Sequence, residues 1–589
     1  MTWASGMTFE APVKDLMFNI THIAPWSGDA VGDLETASAV LEEFGRFCAE
    51  EIAPLNAAGD RIGSHRDRGR VQTPPGFREA YAKFVDMGWQ GLRHPSEFGG
   101  HDMPRAVAAA ATEIINAANM SFALCPLLTD GAIEALLRFG SPEIQQTYLH
   151  KLVSGRWTGT MNLTEPQAGS DLALIRTRAE RQANGTYQIS GTKIFITYGE
   201  HDLAENIIHL VLARTPGAPD GVKGISLFLV PKLLVDESGE PGAQNSLRCQ
   251  SIEHKLGVRA SPTCMLEFDG ATGFLIGREN AGLEIMFTMM NAARFAVGVQ
   301  GVAVGERAYQ MALSYAKTRN QGRPVDGSAF EAVPIIHHPD VRRMLAHMRA
   351  TTEGGRALAA AAAGWQDRAQ FAATPELRAE ALAIAEFLVP LVKGFCTEMS
   401  LQTASTGLQI FGGMGFIEET GVAQHYRDAR ILPIYEGTTA IQANDLLGRK
   451  TLRDGGSTAR RIAAMIAQTE NALRQGSSVA QEIAAQLSCA RAAFESVVAH
   501  LVAAKPADLN AAYAGAVPYL MLAGNLVAGW QLARSVLVAQ AGLEDGQDPD
   551  FMAAKIATAR FYARHILGET DLQRARVMDG AASLLDVEF

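Results

Sequence analysis

From residue 36 to about 150, apolar residues recur three and four positions apart. "TASAVLEEFGRFCAEEIAPL", "PRAVAAAATEIINAANMSFAL" and "DGAIEALLRFG" each line one face of a predicted helix, with Pro and Gly between them. From about 155 to 278 the pattern shifts to short alternating or β-branched runs, in "TYQISGTKIFIT", "NIIHLVLART", "GISLFLVPK" and "TCMLEFDG", and Asn184-Gly185 predicts a tight hairpin turn. Beyond Gly282 helical spacing returns, in "GLEIMFTMMNAARFAVGVQGVAVGERAYQMALSYAKTR" and in the segments that follow. The polar stretch "RKTLRDGGSTARR", residues 449–461, reads as a linker ahead of more Ala-rich helix. The pattern predicts a mainly α chain with an inserted β-domain: a 1–35 extension, helical 36–158, β 159–280, a helical bundle over 281–450 and a C-terminal helical domain over 451–589.

A chain of 589 residues is too long for one core, which agrees with this division. Its 47% apolar and 20% charged residues are those of an ordinary soluble protein, and a net charge of -11 argues against a dominant nucleic-acid-binding surface. Cys48, Cys125, Cys249, Cys264, Cys396 and Cys489 form no CxxC pair and have no His at ligand spacing, so neither a metal site nor a disulfide framework is expected. Glu10, Lys14 and Asp15 interrupt the N-terminal stretch, which gives no export signal. Between Asp508 and Arg534 no residue is charged, but Pro518, Asn525, Gln531 and many Ala and Gly residues favour a buried helix over a membrane span, leaving peripheral membrane contact as the lesser reading.

No GxGxxG follows a strand and no GxxxxGK[ST] occurs, so neither a Rossmann site nor a P-loop is supported. "MNLTEPQAGSD", residues 161–171, offers Thr164, Gly169 and Ser170 to a flat heterocycle or a phosphate, although alone it reads as a surface loop. In "KIFITYGE" Phe195 and Thr197 are two apart and share one side of a strand, where a ring and a hydroxyl could cover a ring system. In "ILPIYEGTTAIQ" Glu436 stands among Ile434, Tyr435 and Ile441. If they are buried it must lose hydration, at a cost that a raised pKa or a partner has to offset. It is either an exposed turn residue ahead of a helix capped by Thr438 or Thr439, or a tuned base.

"LTEPQAGSD", "GTKIFIT", "LQIFGGMGF" and "YRDARILPIYEGTTAIQ", in this order and with this domain order, resemble the acyl-CoA dehydrogenase family of FAD flavoproteins over roughly 36–450. The full length is similar to its larger members, above all the bacterial 3-methylmercaptopropionyl-CoA dehydrogenase group. The resemblance implies the acyl-CoA dehydrogenase fold and α,β-dehydrogenation of an acyl-CoA thioester, with electrons passed to an electron-transferring flavoprotein in the cytoplasm. It implies that Glu436 removes the α-proton, with Tyr435, Gly437, Arg294 and Ser170 near the substrate. Thr164, Ser170, Phe195 and Thr197 match flavin-contacting positions. Arg319, Gln409 and Gly413 match groups that reach the FAD of a neighbouring subunit, and Thr438 one near its adenosine. Some members carry the base just before the arginine that is Arg294 here; that position is Ala293, which cannot take a proton.

Phe195 stands where tryptophan is frequent, Gln321 where phenylalanine is usual, and Ala440 where glutamine is common. Chain length stays open, since several helices and the loop before Phe295 shape pocket depth: a short thioether acyl chain and a medium or long straight chain both fit the architecture. Acyl-CoA oxidases share the fold, and one branch with a C-terminal helical domain binds DNA. Residues 456–589 hold eleven Lys or Arg against thirteen Asp or Glu, which disfavours the DNA reading. That domain is expected to cover apolar surface which smaller members bury by forming tetramers, and so to leave a homodimer.

Overall fold

The computed structural model describes residues 8–26, 33–504, 509–580, 583–584 and 586–589. The first seven residues of the N-terminal stretch, and Asp508 at the edge of the uncharged segment, lie outside that set. The chain forms two compact units: one from Arg46–Met103 and Ala118–Ala293, the other from the described residues up to Gly45, Pro104–Ala117 and everything from Arg294 onward.

The first unit holds the β-domain. Its seven-stranded sheet runs Trp157–Asn162, Asn206–Ala213, Ser226–Pro231, Thr263–Ile276, Tyr187–Thr197, Arg178–Arg181, with Leu247–Ile252 also paired to the long strand Thr263–Ile276. Only the first pair is parallel. The long strand changes partner as it goes: Thr263–Gly273 pairs with Tyr187–Thr197, and Phe274–Ile276 with Ser226–Pro231. The hairpin predicted at Asn184-Gly185 is present between Arg178–Arg181 and Tyr187–Thr197. Gln182 N–H donates to Thr186 O at 2.8 Å, and Gly185 adopts φ 86°, which glycine reaches without steric cost. Ile189, Val211, Phe228, Val230, Leu266 and Phe268 fill the interior.

One irregularity matters for the site. Lys193 pairs with Leu266 and Ile196 with Cys264, so Ile194 and Phe195 together oppose Met265, a bulge in which Phe195 takes φ 58°. Past the bulge the alternation slips by one, so Lys193 and Ile196 both point inward and Phe195 and Thr197 point out.

The second unit is helical. Gly282–Thr318, which begins in the first unit, contributes its stretch from Arg294 on; Pro339–Phe371, Pro375–Pro390 and Cys396–Phe411 form the bundle, and Ser457–Arg474, Ser478–Ala503, Ala516–Glu544, Pro549–His565 and Glu569–Met578 follow it. Bundle and C-terminal helices share one core: Phe387 packs edge-on to Phe494, Phe494 stacks on Tyr519, and Gly524 lies so close to Phe395 that an added Cβ would sit 2.4 Å from its ring. The C-terminal helices therefore cover apolar surface of the bundle, as expected. The uncharged segment opens with a short, largely exposed helix, Leu509–Ala514, and from Ala516 on is a buried helix as expected, with Pro518 in its first turn where a missing N–H removes no helical bond. Among the described residues a different helix, Arg105–Phe139, is long and apolar enough to cross a membrane. Its apolar window is 83% buried within the protein, and its backbone breaks at Asn119.

The polar stretch 449–461 is mostly not a linker. A widened helical turn continues over Gly448–Leu452 and the next helix begins at Ser457. Asp454 makes this tight connection, accepting from the N–H groups of Gly456 (2.9 Å) and Thr458 (3.0 Å). Its charges sit on exposed faces and mask helical continuity in the sequence.

Candidate active site

Glu436 lies in the loop between helices Val422–Ala429 and Thr439–Leu447. The loop turns where Ile434 and Tyr435 both donate N–H to Ile431 O (2.9 and 3.1 Å), and it ends where Thr438 Oγ1 accepts from Ile441 N–H at 3.3 Å, so Thr438 is the helix cap. Between these fixed points Glu436 takes φ 54° and Gly437 φ 88°. A left-handed glutamate is strained and persists only where its surroundings hold it. Gly437 cannot be replaced freely, since a Cβ there would sit 2.7 Å from Gln442 Nε2.

The carboxylate is half-buried. Loss of water pushes its pKa up, and Arg294 and Lys393 pull it partly back. Arg294, on helix Gly282–Thr318, is 5% exposed, with Nη1 3.8 Å from Asp445 Oδ2. Tyr435 donates its hydroxyl to Gln300 Oε1 at 2.5 Å, and Gln300 Nε2 donates to Asn116 Oδ1 at 2.9 Å, a polar chain leading away from the Glu436 loop. Burial raises the Tyr435 pKa first and the Glu436 charge adds to it, so the phenol stays a donor. This constellation can take a proton in a partly dry setting next to fixed positive charge, as abstraction from a weak carbon acid requires.

Four other predicted positions, Thr164, Ser170, Phe195 and Thr197, lie in the β-bearing unit. Thr164 O accepts from Ile194 N–H at 2.9 Å, which brings the Thr164 loop against the strand that carries Phe195 and Thr197. Phe195 is 59% exposed, and the bulge turns its ring outward. The loop is tied from beneath by Glu165, which accepts from Lys193 Nζ (2.8 Å), Thr177 Oγ1 (2.6 Å), Arg176 N–H (2.7 Å) and Gln167 Nε2 (2.6 Å); Lys193 also donates to Leu163 O at 3.0 Å. Burial alone would raise the Glu165 pKa, but Lys193 and the other donors hold it at about 2. Ser170 is exposed, and Asp171 Oδ1 beside it caps a short helical turn. An exposed flat ring flanked by hydroxyls on a braced loop fits an isoalloxazine and its polyol arm.

Arg319, Gln409 and Gly413 meet at one end of the bundle. Tyr315 and Phe411 stack at 4.1 Å and 12°, which joins the ends of Gly282–Thr318 and Cys396–Phe411, and all three predicted residues are exposed there. Gly413 has open space around it, and Arg319 is a guanidinium whose charge and fork geometry suit a pyrophosphate.

Four consecutive family profiles cover the chain: acyl-CoA dehydrogenase N-terminal domain (35–156), middle domain (160–271) and C-terminal domain (280–451), then "Acetyl-CoA dehydrogenase C-terminal like" (458–588). The chain belongs to the acyl-CoA dehydrogenase family. It is 62% identical to the 3-methylmercaptopropionyl-CoA dehydrogenase of Ruegeria pomeroyi, over 98% of this chain and 99% of that one. It is 35% identical to the broad-specificity linear acyl-CoA dehydrogenase FadE5 of Mycobacterium tuberculosis, over 95% of each. Its fold is similar to that of an acyl-CoA dehydrogenase from Bacillus anthracis solved with FAD, with a TM-score of 0.73, 21% identity and coverage of 95% and 94%. The chain is thus an FAD-dependent acyl-CoA dehydrogenase, an oxidoreductase acting on acyl-CoA thioesters. The bound flavin supplies the hydride acceptor that no side chain can provide.

Sequence reasoning missed Lys393, Gln300, Asn116, and the Glu165–Lys193 pair. Two signals were available. Lys193 shares strand parity with Tyr187 and Ile189, which marks it as inward-facing, and Lys393 is the one charge in the apolar run "FLVPLVKGF".

Proposed function

We propose that this enzyme dehydrogenates 3-methylmercaptopropionyl-CoA to the trans-2-enoyl thioester, with Glu436 as the base. The 62% identity to the Ruegeria enzyme, end to end, carries the substrate, and the half-buried, left-handed Glu436 facing Arg294 carries the base. Glu436 accepts the α-proton and Tyr435, Gly437, Arg294 and Ser170 position the thioester; a bound FAD would supply the acceptor for the β-hydrogen. Thr164, Ser170, Phe195 and Thr197 hold the isoalloxazine and pyrophosphate of FAD, while Arg319, Gln409 and Gly413 reach the FAD of a neighbouring subunit and Thr438 serves its adenosine part. The 36–158, 159–280, 281–450 and 451–589 divisions belong to this reading, as does a cytoplasmic bacterial homodimer that passes electrons to an electron-transferring flavoprotein.

The test is Glu436→Gln assayed with a thioester panel and an artificial acceptor. The variant should stay yellow and lose turnover by about 10³-fold or more. The wild type should favour the methylthio substrate over butyryl-CoA and C12–C18 thioesters in kcat/KM. A preference for long chains would overturn the substrate, and undiminished Glu436→Gln turnover the base.

A further inference from the structure

Lys393 is 0% exposed and lies on a widened turn, Leu391–Phe395, between helices Pro375–Pro390 and Cys396–Phe411. An ammonium in that position is costly to bury unless its protons are taken up. Its Nζ donates to Leu432 O at 2.8 Å and to Gly437 O at 2.6 Å. These two carbonyls stand on either side of Glu436, four residues before it and one after. The lysine therefore closes the loop like a clasp across left-handed Glu436. Widened turns of this kind recur at functional sites.

Its electrostatic surroundings are equally specific. The charged groups that face Lys393 are Glu436 from the loop, Arg294 from helix Gly282–Thr318 and Glu398 from its own helix. Burial pulls the Lys393 pKa down to about 8, and Glu436 opposes that fall. Gln442 assists from the next helix, its Nε2 donating to Glu436 O (3.2 Å) and Gly437 O (3.4 Å), but it carries no charge.

We propose that Lys393 is the positioning residue of the base: its two hydrogen bonds hold Glu436 in the left-handed turn, and its charge favours the ionised carboxylate that accepts the proton. The proposal rests on the reading of Glu436 as the base. It implies two separable roles, one served by hydrogen-bond donors of any charge and one served only by a cation.

Lys393→Met removes both roles and Lys393→Gln keeps donors without charge. Steady-state kinetics across pH 5.5–9.5, FAD absorbance and melting temperature are read on each. Lys393→Met should retain flavin, lose about tenfold to a hundredfold in kcat with KM changed less than about threefold, and move the acidic limb of the kcat profile to higher pH. Lys393→Gln should regain most of kcat but keep the displaced limb. Wild-type kcat and an unmoved pH profile in Lys393→Met would overturn the proposal. So would loss of folded protein in both variants, because the hydrogen bonds would then serve the fold and not the base. If Glu436→Gln is inactive while both Lys393 variants behave as wild type, only this proposal fails; if Glu436→Gln is active, the reading of the base fails with it.

Discussion

Single side chains in this protein carry energies that oppose each other. Ionised Glu436 loses water on folding, so its folded pKa lies above the unfolded value near 4.5. The folded state then holds its proton more tightly, and stability contributed by that proton is lost as pH rises through the raised value. Glu436→Gln should accordingly melt higher than wild type at pH 7.5, and the gap should close toward pH 4.5; thermal scans across pH check this. Activity runs the opposite way, since the base must be ionised. Arg294→Gln, which removes a facing cation, should shift the acidic limb of kcat upward, read from the pH profile.

Glu165 and Lys193 show the same opposition away from the base. Glu165→Gln leaves the Lys193 ammonium buried without its partner and should cost about 3–5 kcal/mol, measured by denaturant unfolding. Replacing both at once, Glu165→Leu with Lys193→Met, should restore most of that stability. Flavin retention on gel filtration should stay low in the double variant, because Thr177, Arg176 and Leu163 lose the ties that shape the Thr164 loop.

At the scale of elements, the helices and the hairpin were legible because their signals are local. Asn184-Gly185 names its own turn, and of the two threonines ahead of "AIQANDLLGRK" that could cap the helix, Thr438 does so. Thr438→Ala should cost about 1 kcal/mol and Thr438→Ser much less, as melting temperatures will show. The bulge at Ile194–Phe195 and the widened turns at Leu391–Phe395 and Gly448–Leu452 were not legible. None has a local sequence signal: the bulge shows only in the pairing of Lys193 with Leu266 and of Ile196 with Cys264, and the turn at Leu391–Phe395 accompanies the contact of Lys393 with the loop carbonyls. The polar run at 449–461 misled for a related reason, since charge marks solvent exposure and not the absence of helix.

For the helical unit as a whole, a buried ionic lattice joins distant parts of the chain. Lys555 donates to Asp15 (2.6 Å) and Glu353 (2.8 Å), while Arg356 donates to Asp15 (2.7 Å), Glu113 (2.5 Å) and Glu306 (2.7 Å). Burial would raise the Asp15 pKa, but Lys555 and Arg356 hold it at about 2, so its contribution is present above about 4 and is lost as pH falls toward 2. Burial raises Glu113 to about 6, above its ordinary 4.5, so its ionisation costs stability as pH rises through that window. Lys555→Met should destabilise by about 3–5 kcal/mol at pH 7 and by less near pH 4, where the stranded carboxylates take up protons. Faster hydrogen exchange in Val13–His22 should accompany it. Light scattering should give twice the 63.1 kDa chain mass for the proposed homodimer.

Read alone, the sequence determined the helical, β, helical, helical order and the family, and singled out Glu436 as the carboxylate proposed for the base, because periodicity and short motifs are encoded by neighbouring residues. It also placed Phe195 and Thr197 on one side of a strand, while the bulge that turns this side outward lay beyond it. Only the tertiary structure decided what surrounds Glu436: a buried lysine some forty residues upstream, an arginine from another helix and a left-handed backbone. Those groups converge through packing, and both the desolvation that raises a pKa and the cations that lower it depend on distances in space that one-dimensional spacing does not contain.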